Sequence, residues 1–102
     1  MATIRSVAIP YDAIADFCQR HHIRKLSLFG SVLRDDFRPD SDIDVLVEFE
    51  PGNTPDLFTF IDLQSELSAL LGYPVDLNTP KFLSRYFRQQ VSATAQVIYE
   101  RE

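Results

Sequence analysis

A Gly30-Ser31 pair and an Asp42-Ile43-Asp44 triplet are separated by ten residues in the stretch LFGSVLRDDFRPDSDIDVLV. Ile43, Val45, Val47 and Phe49 alternate along a predicted strand, so Asp42 and Asp44 share its opposite face. Two carboxylates side by side repel, and one tends to stay protonated unless a cation relieves the pair. Mg²⁺ suits that position, since it takes one or two carboxylates and completes its shell with phosphate oxygens and water. Gly30 lets the backbone come close to a ligand. Ser31 offers a hydroxyl and opens a short predicted helix whose free N–H groups would attract phosphate. A metal-holding acidic pair opposite a phosphate-holding Gly-Ser describes a nucleotide site. The same residues also suit a solvated strand entry after an ordinary turn, and spacing alone leaves both readings open.

The elements that must position these groups can be read on either side. Lys25 to Phe29 is the first strand of the site. Val32, Leu33 and Phe37 form the apolar side of the insert, and Arg34, Asp35, Asp36 and Arg38 its polar side. Arg34 is a candidate phosphate contact, or equally a solvated arginine paired with a neighbouring aspartate. The second strand runs from Asp42 to about Phe49. Glu48 shares the aspartate face but lies about 13 Å beyond Asp44. Glu50-Pro51-Gly52-Asn53 is a loop. Thr54 is the expected helix cap, with Pro55 at the first helical position. Leu57, Phe60, Leu63, Leu67, Leu70 and Leu71 recur at three and four, Phe58 and Ile61 widen the stripe, and Gly72 with Pro74 ends the helix. Most of that stripe is expected in the core, with a flank free to meet a partner. A right-handed crossover then leads to a strand over Val75–Asn78. There Asp76 stands between Val75 and Leu77, a setting that invites a raised pKa or a nearby metal, or else an edge position facing water.

The flanks are plainer. Residues 1–9 read as a mildly apolar lead-in. Residues 10–21 form an amphipathic helix on Ile14, Phe17, Cys18 and His21. His21 and His22, at its end, point apart and read as structural, and Cys18 as a small buried hydrophobe. Thr79-Pro80 opens a further helix with Leu83, Tyr86, Phe87, Gln90 and Val91 at helical spacing and Arg85 and Arg88 on its polar side. Gln96 to Glu100 makes a last strand. Strands alternating with helices predict an α/β (α+β) domain, a small mixed β-sheet with helices packed on it.

The chain has 102 residues, net charge −5 and pI about 4.9. That length fits one domain spanning 1–102. The acidic balance argues against direct nucleic-acid binding, although Arg34, Arg38, Arg85 and Arg88 form a local basic spot. One cysteine permits no intrachain disulfide. No signal-peptide pattern and no apolar run of about 18 residues is present, so a soluble cytoplasmic protein without membrane association is expected.

The run GSVLRDDFRPDSDIDVLVEF resembles the nucleotidyltransferase superfamily that includes DNA polymerase beta: Gly-Ser, ten residues, Asp-x-Asp. Within it, the chain is most similar to the minimal nucleotidyltransferases, short proteins that act as antitoxins beside HEPN-class ribonuclease toxins. Arg38 to Asp44 agrees closely with the family pattern, and Val75-Asp76-Leu77 fits the place of its third carboxylate. One departure is Asp35, where the family usually has glycine after the arginine. The resemblance implies the nucleotidyltransferase palm, with Asp42, Asp44 and Asp76 as metal ligands for one or two Mg²⁺ ions. It makes Asp76 the group that helps to deprotonate the acceptor. It also implies that Gly30 and Ser31 cradle the triphosphate and that Ser41 supports the loop before the metal ligands. ATP is then the substrate, AMP the transferred group, and a tyrosine hydroxyl of a HEPN toxin the acceptor, in a hetero-oligomer. Larger relatives add domains that grip the acceptor and 102 residues leave no room for one, so a partner or second copy is expected to supply that surface. The alternative is a non-catalytic antitoxin or binding module that neutralises its partner sterically. A transferase acting on a small aminoglycoside-like molecule fits less well, because it would need a second domain.

Overall fold

The computed structural model describes residues 2–4, 7–33, 42–80 and 85–101. In chain order these are β1 (Ala2–Ile4), β2 (Val7–Ile9), α1 (Tyr11–Arg20), β3 (Ile23–Phe29), a 3₁₀ turn (Gly30–Leu33), β4 (Ile43–Phe49), α2 (Leu57–Leu71), β5 (Val75–Asn78), α3 (Arg85–Thr94) and β6 (Gln96–Glu100). Strands β5-β4-β3-β6 form one mixed sheet in that order. β3 runs antiparallel to both β4 and β6, and β5 is parallel to β4.

The alternation read from β4 decides how the sheet packs. Ile43, Val45 and Val47 are fully buried, as are Leu26 and Leu28 on β3. The register sets Leu26 beside Val47 and Leu28 beside Val45, so these side chains share one face. Ile14, Phe17 and Cys18 of α1, Leu63, Leu67 and Leu71 of α2, and Val7 and Ile9 of β2 close that face into the main core. Burying each large apolar side chain there contributes roughly 1.5–3 kcal/mol. Burial also pushes the Cys18 thiol up to about 12, which keeps it protonated and unreactive. The other face carries a smaller patch in which Val91 of α3 covers Phe29 and Leu46.

Three details depart from the sequence reading. Where the sequence reading has a lead-in, Ala2–Ile4 and Val7–Ile9 pair as two antiparallel strands, with Ala2 opposite Ile9 and Ile4 opposite Val7. Strands of three residues are too short to show a period of two. Second, Asp56 caps α2, not Thr54: its Oδ1 accepts from the Thr59 N–H at 2.8 Å. Thr54, Pro55 and Asp56 all suit a helix start, and the residue with a carboxylate within reach of an orphan N–H takes the role. That N–H holds the Asp56 carboxyl below the usual carboxylate range. Third, Leu57 does not join the core. It is 68% exposed, with Phe58 at 80% and Ile61 at 48%. The stripe meets the sheet only from Phe60, whose ring packs 6.5 Å from that of Phe49.

α2 also seals the β5 edge of the sheet. Ser68 Oγ accepts from the Val75 N–H at 3.0 Å, and Gln64 Oε1 from the Leu77 N–H at 2.9 Å. Both N–H groups belong to alternate residues of an edge strand, where they would otherwise lack a ladder partner. Replacing Gln64 by Leu keeps the side chain's bulk and leaves the Leu77 N–H unpaired. The expected loss is about 1–3 kcal/mol, read as a lower denaturation midpoint with an unchanged m value. An unchanged midpoint would show that solvent satisfies that group.

A polar bridge joins α1 to α2. Arg20 donates to Asp16 at 2.8 Å and to Glu66 at 2.6 Å, and His21 Nε2 lies 3.3 Å from Glu66 Oε1. The hydrogen bond from Arg20 holds the Glu66 carboxyl below its ordinary value of 4.5, against the opposing effect of partial burial. The folded chain therefore takes up this proton less readily than the unfolded chain. The bridge's contribution is present above the unfolded value and lost as pH falls through the lowered folded value. Glu66→Gln should flatten the acid limb of stability against pH below about 4.5. The effect is small because the pair is solvent-screened. An acid limb identical to the parent's would remove Glu66 from the account.

Among the described residues no helix is long and apolar enough to cross a membrane.

Candidate functional site

β3 ends at Phe29, which pairs with Asp44 across the sheet. The chain then turns through Gly30 at φ +77°, a left-handed conformation that costs other L-residues about 1–2 kcal/mol. A methyl group added at Gly30 would overlap Oδ2 of Asp44 and lie 3.1 Å from its Cγ. Glycine is therefore required twice here, by the backbone angle and by the carboxylate pressed against it. Ser31 follows within a four-residue 3₁₀ turn, where the sequence predicts a short helix.

Asp44 is half-buried between Ile43 and Val45, which are fully buried on the opposite face. Asp76 sits beside it on β5: the parallel register pairs Asp44 with Asp76, Ile43 with Val75 and Val45 with Leu77. Cross-strand partners share a face at a strand spacing of about 4.8 Å. Asp76 is exposed and on the edge strand, so it faces water and neighbours Asp44 at once. Asp42 is exposed and lies one residue before β4 begins. The register thus brings Asp44 and Asp76 together, with Asp42 at the mouth. As the side chains stand, no cluster of three or more His, Cys, Asp or Glu among the described residues is tight enough to hold a metal ion. The donor set fits a hard cation such as Mg²⁺: carboxylate oxygens on adjacent strands and no Cβ at Gly30 to crowd them.

Arg34, Arg38 and Ser41 lie outside the described residues, as do the side chains of Ser31, Arg85 and Arg88. Glu48 is paired with Arg24 at 3.0 Å, further along β4. His21 and His22 lie near Glu66 and Glu50, at the opposite end of β3 from Gly30, in line with a structural role.

Asp44 and Gly30 open into a cleft of about 630 Å³, bounded on the other side by Gln90, Val91 and Thr94. Neither Asp42 nor Asp76 lines it. Its size is that of an ordinary small-molecule site. The contribution of α3 was not visible in the sequence. Gln90 and Val91 read there as one helical stripe, but Val91 is 4% exposed against Phe29 and Leu46 while Gln90 faces out. The polar member of that pair was the available signal.

The family described as Polymerase beta, Nucleotidyltransferase matches residues 12–102. The Protein adenylyltransferase MntA of Thermococcus cleftensis is 46% identical over 59 residues, covering 58% of this chain and 58% of that protein. The matched part therefore spans little more than half of that relative's length. A solved minimal nucleotidyltransferase superposes with TM-score 0.69 at 39% identity, over 83% of this chain and 85% of that one. A toxin–antitoxin structure with AMP-PNP superposes with TM-score 0.72 over 92% of this chain and 76% of that one; at 23% identity it bears on the fold.

Proposed function

Since the chain belongs to the polymerase beta nucleotidyltransferase family, we propose that its site transfers AMP from ATP to a tyrosine hydroxyl of a HEPN-class ribonuclease toxin, silencing it. The observation that carries this reading is the meeting of Asp44 with Gly30 on one side and Asp76 on the other. A relative named protein adenylyltransferase and a similar fold solved in a toxin–antitoxin structure with AMP-PNP support it. One domain over residues 1–102, acting in a hetero-oligomer with the toxin, completes the proposal.

Asp42, Asp44 and Asp76 hold the metal in this reading. Bound there, Mg²⁺ would supply positive charge to offset the negative charge that develops during phosphoryl transfer. The lack of a Cβ at Gly30 leaves room for the Asp44 carboxylate, and Gly30 and Ser31 cradle the triphosphate in this reading. Arg34 adds a phosphate contact and Ser41 steadies the loop before Asp42. Asp76, exposed at the sheet edge, accepts the proton of the incoming hydroxyl. The hydroxyl oxygen bonds to the α-phosphorus, the bond to the β-phosphate bridging oxygen breaks, and pyrophosphate leaves.

The experiment uses ATP labelled at the α-phosphate, and separately at the γ-phosphate, with Mg²⁺ and the copurifying partner. Label from the α position alone on the partner, absent with Asp42→Asn, Asp44→Asn, is the expected result. If neither label transfers and the double variant still neutralises the partner, the protein is a steric binding module.

A further inference from the structure

The cleft has a wall that phosphate chemistry leaves unused. Val91 anchors α3 on Phe29 and Leu46. Gln90 and Thr94, one helical turn apart, then line the cleft opposite Gly30 and Asp44. The Thr94 hydroxyl donates to the Gln90 carbonyl oxygen at 3.0 Å, so its hydrogen is committed to the helix. The Gln90 side chain is exposed, and no described residue hydrogen-bonds its amide. Phe29, Val91 and Ala93 supply apolar lining beside it. An apolar surface with one free amide at its rim is what a planar base needs: a face to lie on and an edge to be read by. A glutamine amide offers a donor and an acceptor side by side. Adenine presents the complement, an N6 amino donor next to a ring-nitrogen acceptor. On the edge that carries N7, guanine presents two acceptors, O6 and N7, and there leaves the amide oxygen facing another lone pair.

We propose that Gln90 reads the N7-bearing edge of the nucleobase, holding adenine and disfavouring guanine, with the triphosphate at the Gly30–Asp44 end of the cleft. The proposal rests on the nucleotidyl-transfer reading and names the residue that sets its nucleotide choice. The volume of about 630 Å³ accommodates both ends of one nucleoside triphosphate. Gln90 is here a binding and specificity residue and takes no part in the chemical step.

The test is calorimetric titration of the full chain with AMP-PNP and with its guanine counterpart, for the parent, Gln90→Leu and Gln90→Arg. The parent should bind the adenine analogue at least about tenfold more tightly, the discrimination of one bidentate base contact. Gln90→Leu should bring the ratio close to one by weakening adenine binding. Gln90→Arg should reverse it, since a guanidinium donates to both O6 and N7 of guanine. Gln90 is exposed, so both variants should melt with the parent, and Gln90→Arg remains informative if the leucine variant does not fold. No preference in the parent, or a preference that survives both substitutions, overturns the proposal. That result alongside intact α-label transfer would remove base reading by Gln90 and leave nucleotidyl transfer standing. A parent that binds neither analogue would remove both.

Discussion

Asp44→Asn should lower transfer of the α-label by about 10³-fold, on the scale of removing one preorganised charge-stabilising group from an active site. Asparagine matches aspartate in shape, and Asp44 is only half-buried, so the melting temperature should stay within a few degrees of the parent's. The substitution removes the charge that faces the cleft without touching Ile43 and Val45, which hold β4 in the core. A kinetic loss with an intact fold identifies a chemical role. If the variant unfolds, Asp44 acts mainly in structure, and the cleft loses its claim to catalysis. If transfer persists at the parent rate, Asp44 does not hold the metal.

The second large effect is expected at Gly30. Gly30→Ala meets two obstacles, a φ of +77° and the Asp44 carboxylate in the space a Cβ needs. Gly72 provides the control: its φ is +76°, but nothing lies within 4 Å of an added Cβ. Both alanine variants carry the left-handed strain of about 1–2 kcal/mol. Only Gly30→Ala must also displace Asp44, and a shift of about 1 Å in a catalytic group costs on the order of 10²-fold in rate. Chemical denaturation and label transfer measured on the two variants separate the effects. Similar stability losses with activity lost only at Gly30 is the expected pattern. Equal activity in both would mean that Asp44 can move without consequence.

Much of this was legible in advance because β4 alternates cleanly. Ile43, Val45 and Val47 declare the core face, which leaves Asp44 on the other. The bounds of β5 and β6 followed from short apolar runs between breakers, and Gly72 ended α2 as its position suggested. What the sequence withheld depended on tertiary choices. The paired strands β1 and β2 are too short for periodicity. Asp56 won the cap because of where its carboxylate lies relative to the Thr59 N–H, which residue type alone does not decide. Leu57 and Phe58 continue the α2 pattern yet stand in solvent, since a helix may extend its stripe beyond the surface that buries it. The place of Gln90 on the cleft depended on Val91 choosing the second face of the sheet. The link between Asp44 and Gly30 was visible as a motif, but its contact is a fact of three dimensions.

The side chains of Gln64 and Ser68 that hold the edge of β5 have a consequence for proofreading during folding. They engage Val75 and Leu77, the alternate residues that bracket Asp76. A β-strand slipped by one residue turns each of its side chains to the other face. In β5 that slip would bury Asp76 under α2, bring Val75 and Leu77 into water, and offer the two acceptors the wrong amides. The clamp therefore recognises one alignment and penalises its nearest competitor. Whatever it adds to stability, it also discriminates between a chain in which Asp76 stands beside Asp44 on one face of the sheet and a folded chain in which the two are parted.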